Sequence, residues 1–364
     1  MEQKEAFIIV DRLDVIGGVQ LTALSIARAL VEEKLYNTVT ISYTGTINSK
    51  FISNIIPRYI MQNIKFIPLI KLQKIPVTLK YVYLSNIKKL IDIKKKYSII
   101  INAHGDIIPI DGDMIYFHQF NLDYHFFQNE NFTNRFKITY LWTLRKRFFN
   151  SIRNRLILVN SSWTLAEAKK FWDFKNVIIL HPPVMIEKYL GCELNNRKNL
   201  VITISRFSRD RQLENVLQIA KNIKDAKFVI AGYIQDSSYF IDLHKKAPSN
   251  VILLPNVSEE DKKQLLCKAK VYLNPTLYVE GFGISVVEGM AAGLIPVAVN
   301  KGGVRDTVPP DWQFNDLEQA TQLVGFALDS WTPQYGSFFR EKSKDFSYQS
   351  FKNKLKKLII NINK

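Results

Sequence analysis

Between Leu200 and Asn300 the sequence repeats one pattern: a short apolar run, a turn, then a helical stretch. "LVITISRF" is followed by the helical "RQLENVLQIAKNI", "AKFVIAGY" and "NVILLPNVS" by the helical "SEEDKKQLLCKA", and "VYLNPT" by the helical "ISVVEGMAAG" and then "IPVAVN". Strands apolar along their whole length need cover on both faces, which predicts a mostly parallel, doubly wound α/β sheet. The first third carries the same pattern less regularly. "AFIIV", "GGVQLTALSIARALVEE" and "NTVTISY" form a β-loop-α-β unit, and "YSIIINAH", "DMIYFHQ" and "RLILVNSS" add strands. Two doubly wound, Rossmann-like domains follow, at residues 1–185 and 199–345. The polar stretch 186–198 reads as the linker, and 346–364 as an amphipathic basic helix that either caps the second domain or crosses to the first. Ligands in such sheets sit beyond the carboxyl ends of the strands, where strand order reverses.

At 364 residues, 47% hydrophobic, with 23 Phe and 16 Tyr, the chain is large enough for two cores. Cys192 and Cys267 lie far apart, match no metal-ligand spacing, and fit a reducing compartment. The N-terminus reads as a first strand rather than a signal peptide, and no apolar window is long enough to span a bilayer. Formal charge is +17 and uneven. Residues 51–100 hold ten Lys/Arg against Asp92 alone, and residues 131–166 hold Arg135, Lys137, Arg145, Lys146, Arg147, Arg153 and Arg155 with no acid. Such a field attracts nucleic acid, an anionic membrane face or a phosphorylated substrate. Aromatics interleave the second run. They suit either a membrane interface or a helix whose aromatics are core.

The stretch "YVEGFGISVVEGMAAG" places Glu280 in the loop beyond one strand and Glu288 in the first turn of the helix that follows. Gly281 and Gly283 allow close backbone approach, and the helix start offers free amides to phosphate oxygens. Two carboxylates flanking an anion site suit polyol hydroxyls rather than phosphate. Ordinary capping and solvation of both acids is the plain alternative. "ISRFSRDRQ" supplies Arg206, Arg209 and Arg211 past the first strand of the second domain. Arg206 and Arg211 are the better phosphate partners, because Arg209 beside Asp210 reads as solvated. In the first domain, Gly17 and Gly18 fall in the first βα turn without a dinucleotide fingerprint, which disfavours a nicotinamide cofactor. His118 stands at a strand's carboxyl end, and His104 is placed similarly; either is ligand-facing or structural. "DGD" at 111–113 precedes a strand and reads as a turn. No nucleophile triad, zinc motif or P-loop is present.

The E-x7-E spacing of Glu280 and Glu288, with "IPVAVNKGG" after it, resembles family-4 retaining glycosyltransferases of the GT-B fold. Gly17–Gly18, "SRF…R" at 205–211, "VNSSWT" at 159–164 and "HPPV" at 181–184 extend the resemblance from the first strand to about Thr307. Several of these strings most resemble the GDP-mannose-dependent mannosyltransferases that extend lipid-linked N-glycan precursors. The resemblance implies two Rossmann-like domains facing across a cleft, with transfer of a hexose from a nucleotide sugar of the GDP-mannose or UDP-glucose type to a glycan hydroxyl. It gives Glu280 to the transferred sugar, Glu288 to the ribose, and the backbone of Gly281, Phe282, Gly283 and Ile284 to sugar and diphosphate. Arg206 and Arg211 go to the leaving diphosphate; the family usually has lysine at the second position. Gly17 and Gly18 go to the cleft near the phosphates, and His118 to the donor sugar and acceptor hydroxyl. Gly302 and Gly303 would shape the neighbouring loop. No cofactor and no essential metal are implied.

The acceptor would be a lipid-linked or membrane-associated glycan, met at the cytoplasmic membrane face through residues 135–155 and 58–96. A soluble sugar, a protein or another glycolipid is the alternative acceptor. A nucleic-acid-binding protein is the remote one, and no recognised module supports it. The sequons "NFT" and "NSS" would be irrelevant in a cytoplasmic protein.

Overall fold

The computed structural model describes residues 4–14, 17–70, 96–119 and 132–362. The chain divides into two compact units, Met1–Pro183 with Phe351–Lys364, and Val184–Ser350.

The first unit is built on a seven-stranded parallel sheet of β1 (Glu5–Ile9), β2 (Thr38–Thr44), β3 (Ile64–Ile70), β4 (Ile99–Asn102), β5 (Met114–Phe117), β6 (Leu156–Val159) and β7 (Asn176–Ile179). Their order is β3-β2-β1-β4-β5-β6-β7, so the winding reverses between β1 and β4. Ala6 to Ile9 and Ile99 to Ile101 are buried, as strands covered on both faces must be. The helices are α1 (Gly18–Glu32), α2 (Ser49–Ile55), α3 (Arg58–Met61), α4 (Phe132–Ser151) and α5 (Ser162–Phe171).

The second unit has a six-stranded parallel sheet of β8 (Leu200–Ile204), β9 (Lys227–Gly232), β10 (Val251–Pro255), β11 (Val271–Leu273), β12 (Ile295–Val299) and β13 (Gln313–Phe314). The order β10-β9-β8-β11-β12-β13 reverses between β8 and β11. Its helices are α6 (Glu214–Asn222), α7 (Ser237–Lys246), α8 (Glu259–Lys268), α9 (Ile284–Ala291), α10 (Leu317–Ser330) and α11 (Pro333–Ser343). The last helix, α12 (Tyr348–Ile362), leaves this unit and packs in the first, burying Phe351, Leu355 and Ile359. Lys352 reaches Glu32 and Glu33 at 3.2 Å each, and Lys356 reaches Glu33 at 2.7 Å, so the tail is tied to the end of α1.

Three expectations need correction. The stretch 186–198 is not a solvated linker. Ile186, Tyr189 and Cys192 are buried in the second unit's core, and Arg197 is 9% exposed. The units divide at Pro183/Val184 instead. Cys192 and Cys267 are not separate thiols but a disulfide with Cα atoms 5.0 Å apart, because the fold brings the 186–198 segment against the end of α8. Glu288 lies in the second turn of α9, not the first: Gly283 has left-handed φ (88°), so the helix starts at Ile284.

Candidate functional site

In the second unit the strand order reverses between β8 and β11, and the segments leaving those two strands carry the residues singled out above. Beyond β8 the chain makes a tight turn at Arg209–Arg211 and then enters left-handed φ at Gln212 (48°). Beyond β11 it runs through Thr276–Glu280 to α9. Gln212 ties the two exits together, since its Oε1 accepts from the Leu277 amide at 2.8 Å and lies 3.4 Å from Thr276 Oγ1. Asn215 adds a second tie by donating to the Pro275 carbonyl at 2.9 Å.

These ties bring Arg211 and Glu280 together, with Nη1 to Oε2 at 2.8 Å. Arg206 donates to Asp210 Oδ2 at 2.7 Å and to Ser208 Oγ at 3.2 Å, and Asp210 also lies 3.5 Å from Arg211 Nε. Burial opposes the charge of Arg206, but the pair with Asp210 outweighs it and its pKa is raised. Burial likewise pushes Asp210 up, but Ser208 and Arg206 outweigh it and hold the carboxyl below its ordinary value. Arg209 is exposed, lies 3.6 Å from Asp236 and from Asp242, and stands over the Tyr239 ring.

Glycines set this loop. A Cβ on Gly302 (φ 73°) would lie 2.3 Å from the Glu280 carbonyl oxygen, and Gly303 donates its amide to that oxygen at 2.8 Å. A Cβ on Gly232 would lie 1.8 Å from the Ser205 carbonyl oxygen, so β9 must end in glycine for the arginine segment to pass. Gly283 caps α9 without a side-chain bond, leaving the first amides of the helix without intrahelical acceptors. Phe282 is 3% exposed, with its ring packed edge-on against that of Phe346. Glu288 accepts from Lys262 and from the Tyr189 hydroxyl, each at 3.1 Å.

In the first unit, α1 begins at Gly18 with an extended Gly17 before it and no side-chain cap. Beyond β5 lies His118, whose amide, with that of Gln119, donates to the buried Asp106 carboxylate at 2.8 and 3.2 Å. Its Nε2 is 3.3 Å from the Ala103 carbonyl, which assigns the proton to Nε2 and leaves Nδ1 as the acceptor. Burial, helped by His104 with its ring 6.0 Å away, lowers the His118 pKa to about 3, so the ring is neutral near pH 7. Burial raises Asp106 to about 7 against its hydrogen bonds and Arg145.

The basic stretch is less available than its charge suggests. Arg145 is buried beside the Phe149 ring, Arg155 makes a two-point pair with Asp111, and Arg153 pairs with Asp173. Asp113 of "DGD" accepts from the Ile100 amide at 2.8 Å. Asn160 of "NSS" is buried with its oxygen bonded to Ser161 and Thr164, which closes it to modification in the fold. Residues 71–95, Asn131 of "NFT" and the side chains of Arg135 and Lys137 lie outside the described residues. Among the described residues no helix is long and apolar enough to cross a membrane, and no group of three His, Cys, Asp or Glu side chains is placed to hold a metal ion. Gln212, Asn215, Gly232, Lys262 and Tyr189 were not singled out from the sequence. Of these only Gly232, closing an apolar strand, carried a signal that could have found it.

Comparison with solved structures defines the class: the chain has the GT-B fold of two Rossmann-like domains. It superposes on sucrose-phosphate synthase from Thermosynechococcus elongatus with a TM-score of 0.76, at 15% identity over 99% of both chains. It superposes on Anabaena Alr3699/HepE in complex with UDP with a TM-score of 0.74, at 15% identity over 98% of this chain and 100% of that one. Within the chain, residues 192–312 match the family described as "Glycosyl transferases group 1". Among curated proteins, it is 27% identical over 215 residues to a GDP-Man:Man(3)GlcNAc(2)-PP-Dol alpha-1,2-mannosyltransferase of Kluyveromyces lactis, covering 51% of this chain and 37% of that one. The Xenopus laevis protein of the same name is 28% identical over 231 residues, covering 57% and 46% respectively. The chain thus spans less than half the length of these relatives.

Proposed function

We propose that the chain is a nucleotide-sugar-dependent retaining glycosyltransferase that moves a hexose from a GDP- or UDP-sugar to a glycan hydroxyl. The observation that carries this reading is the switch point of the second unit. Arg206 and Arg211 leave β8 there, and Glu280 and an uncapped helix start leave β11, which is a site for an anion flanked by a polyol. The diphosphate takes the amides at Gly283–Ile284 and the N–H groups of Arg206 and Arg211. A guanidinium has five donors, so Arg211 holds a phosphate oxygen while keeping its bond to Glu280. The remaining oxygen of Glu280 accepts from a sugar hydroxyl, and Glu288 accepts from the ribose.

The acceptor hydroxyl attacks the anomeric carbon on the face the diphosphate leaves. The C–O bond to phosphate breaks, the new glycosidic bond forms, and the hydroxyl proton passes to the departing phosphate. Two arginines and the helix amides stabilise the charge growing on that group, so no metal is required. The first unit holds the acceptor, with neutral His118 accepting at Nδ1 a hydrogen bond from a hydroxyl other than the one that attacks. The relatives named above and the first unit's basic character favour a lipid-linked or membrane-associated glycan.

Incubation with GDP-mannose and with UDP-glucose, with and without a lipid-linked oligosaccharide acceptor, tests the proposal. Release of the nucleoside diphosphate from one donor, an α-configured product from an α-linked donor, and loss of both in E280A support it. No turnover of either donor by a folded wild type, or an inverted product, contradicts it.

A further inference from the structure

Glu288 is held more closely than a simple ligand contact requires. Its Oε1 accepts from both the Tyr189 hydroxyl and Lys262 Nζ, at 3.1 Å each, while Oε2 takes no hydrogen bond from a described residue. Both donors are themselves fixed. Tyr189 is 1% exposed, and the Lys262 side chain, 12% exposed, also reaches Glu259 at 3.1 Å. Burial opposes the Lys262 charge, but Glu288 and the neighbouring groups outweigh it and raise its pKa, so the ammonium persists at neutral pH. The donors come from separate elements, the segment ahead of β8 and helix α8. The Cys192–Cys267 disulfide joins those two elements a few residues beyond each donor.

We infer that Tyr189 and Lys262 are positioning residues that clamp one oxygen of Glu288 and present the other to the ribose hydroxyls of a nucleoside diphosphate. This rests on the proposed function. A glutamate on the second turn of a helix has several rotamers, and a ribose contact made by a freely rotating carboxylate would lose its geometry. Two donors converging on one oxygen fix the side-chain torsions. The second oxygen then meets a 2′- or 3′-hydroxyl with nothing left to order, which is how preorganisation raises affinity. A structural ion pair would stabilise the unit equally well, yet would have no reason to change how the protein distinguishes a ribose from a sugar lacking those hydroxyls. That discrimination is the readout.

UDP and GDP, and their 2′,3′-dideoxy counterparts, are titrated calorimetrically into wild type, Y189F, K262M, K262R and E288Q, with melting temperatures measured alongside. The clamp predicts that wild type prefers the ribose forms and that E288Q erases the preference. Y189F and K262M each weaken binding of the ribose form about tenfold, the scale of one hydrogen bond to a charged group, and leave the dideoxy form unchanged. K262R, which keeps a donor, retains most of the preference. If K262M does not fold, Y189F still decides, since it removes a single hydroxyl. Full preference in Y189F and K262M, or equal weakening of both ligand forms, overturns the clamp. Nucleotide binding by wild type without any ribose preference overturns it while leaving the anion site standing. Binding of neither nucleotide removes the proposed function and the clamp together.

Discussion

Gly302 shows how a residue without a side chain fixes the loop of Glu280, the proposed sugar ligand. Its left-handed φ and its contact with the Glu280 backbone leave no room for a side chain. G302A must therefore move the Glu280 loop, at a cost of about 1–3 kcal/mol of backbone strain. Donor turnover is expected to fall at least as far as in E280A, while a nucleoside diphosphate lacking the sugar still binds. Unchanged turnover would show that the loop has slack.

The pair beyond β4 and β5 gives a pH signature. Asp106, raised to about 7 by burial, holds in the fold a proton it loses when unfolded, so its contribution to stability falls as pH rises from about 4 to 7. His118, lowered to about 3 by burial and His104, contributes stability that is lost as pH falls from about 6.5 to 3. The two trends oppose each other in wild type, and each substitution unmasks the other group. In D106N stability climbs with pH across the His118 window, and in H118Q it declines across the Asp106 window, as denaturant melts over pH 4–7 will show. Flat profiles in both variants would contradict the neutral assignment of the two groups. At this scale the places of Glu280, Arg206 and Arg211 beyond β11 and β8 were legible, because each follows directly on a short apolar run. Gln212 was not, since a left-handed glutamine bridging two loops has no sequence signal.

Among elements, the ends of α8 and α9 are held by two arginines from outside them. Arg197 donates to the carbonyls of Leu266, Ala269 and Ala292, and to Glu193, at 2.5 to 2.9 Å. Arg340 donates to the Ala291 and Cys192 carbonyls at 3.2 and 2.6 Å. Cations at helix carboxyl ends oppose the negative dipole and satisfy orphan acceptors. R197A leaves several buried carbonyls without donors and is expected to destabilise the second unit by about 3 kcal/mol or more, measured by denaturant melts. A loss within ~0.5 kcal/mol would mean water replaces the guanidinium. Arg197 falls in the stretch whose polar composition reads as a linker. Composition registers a charged side chain but not the helix ends it serves, which come from chain far away in sequence. β13 is two residues long and leaves no run to detect, whereas β8, β9 and β12 are plain as short, mostly apolar runs.

Both sheets share one winding, each reversing after its third strand at a switch point beside its first, and the residues proposed for donor binding lie beyond the strands that flank the second unit's reversal. Alternation of strands and helices made that architecture readable. The destination of the last helix was not, because an amphipathic basic helix fits either unit equally well. In the fold it meets Glu32 and Glu33 at the far end of α1, which pair with Lys352 and Lys356. Reversing the two charges in K352E/K356E is expected to lower the melting temperature of the first unit by several degrees and to expose the tail to protease. Equal stability would place the tail's anchorage in its apolar face alone.

The central claim is that the β8–β11 switch point holds a nucleoside diphosphate. Calorimetric titration of GDP, UDP and ADP into the full chain, beside GDP-mannose and UDP-glucose, tests it most directly. One nucleotide binding clearly more tightly than the others, with binding abolished in a folded R206A/R211A, is the predicted result. No binding by wild type, or undiminished binding by the double variant, would contradict it.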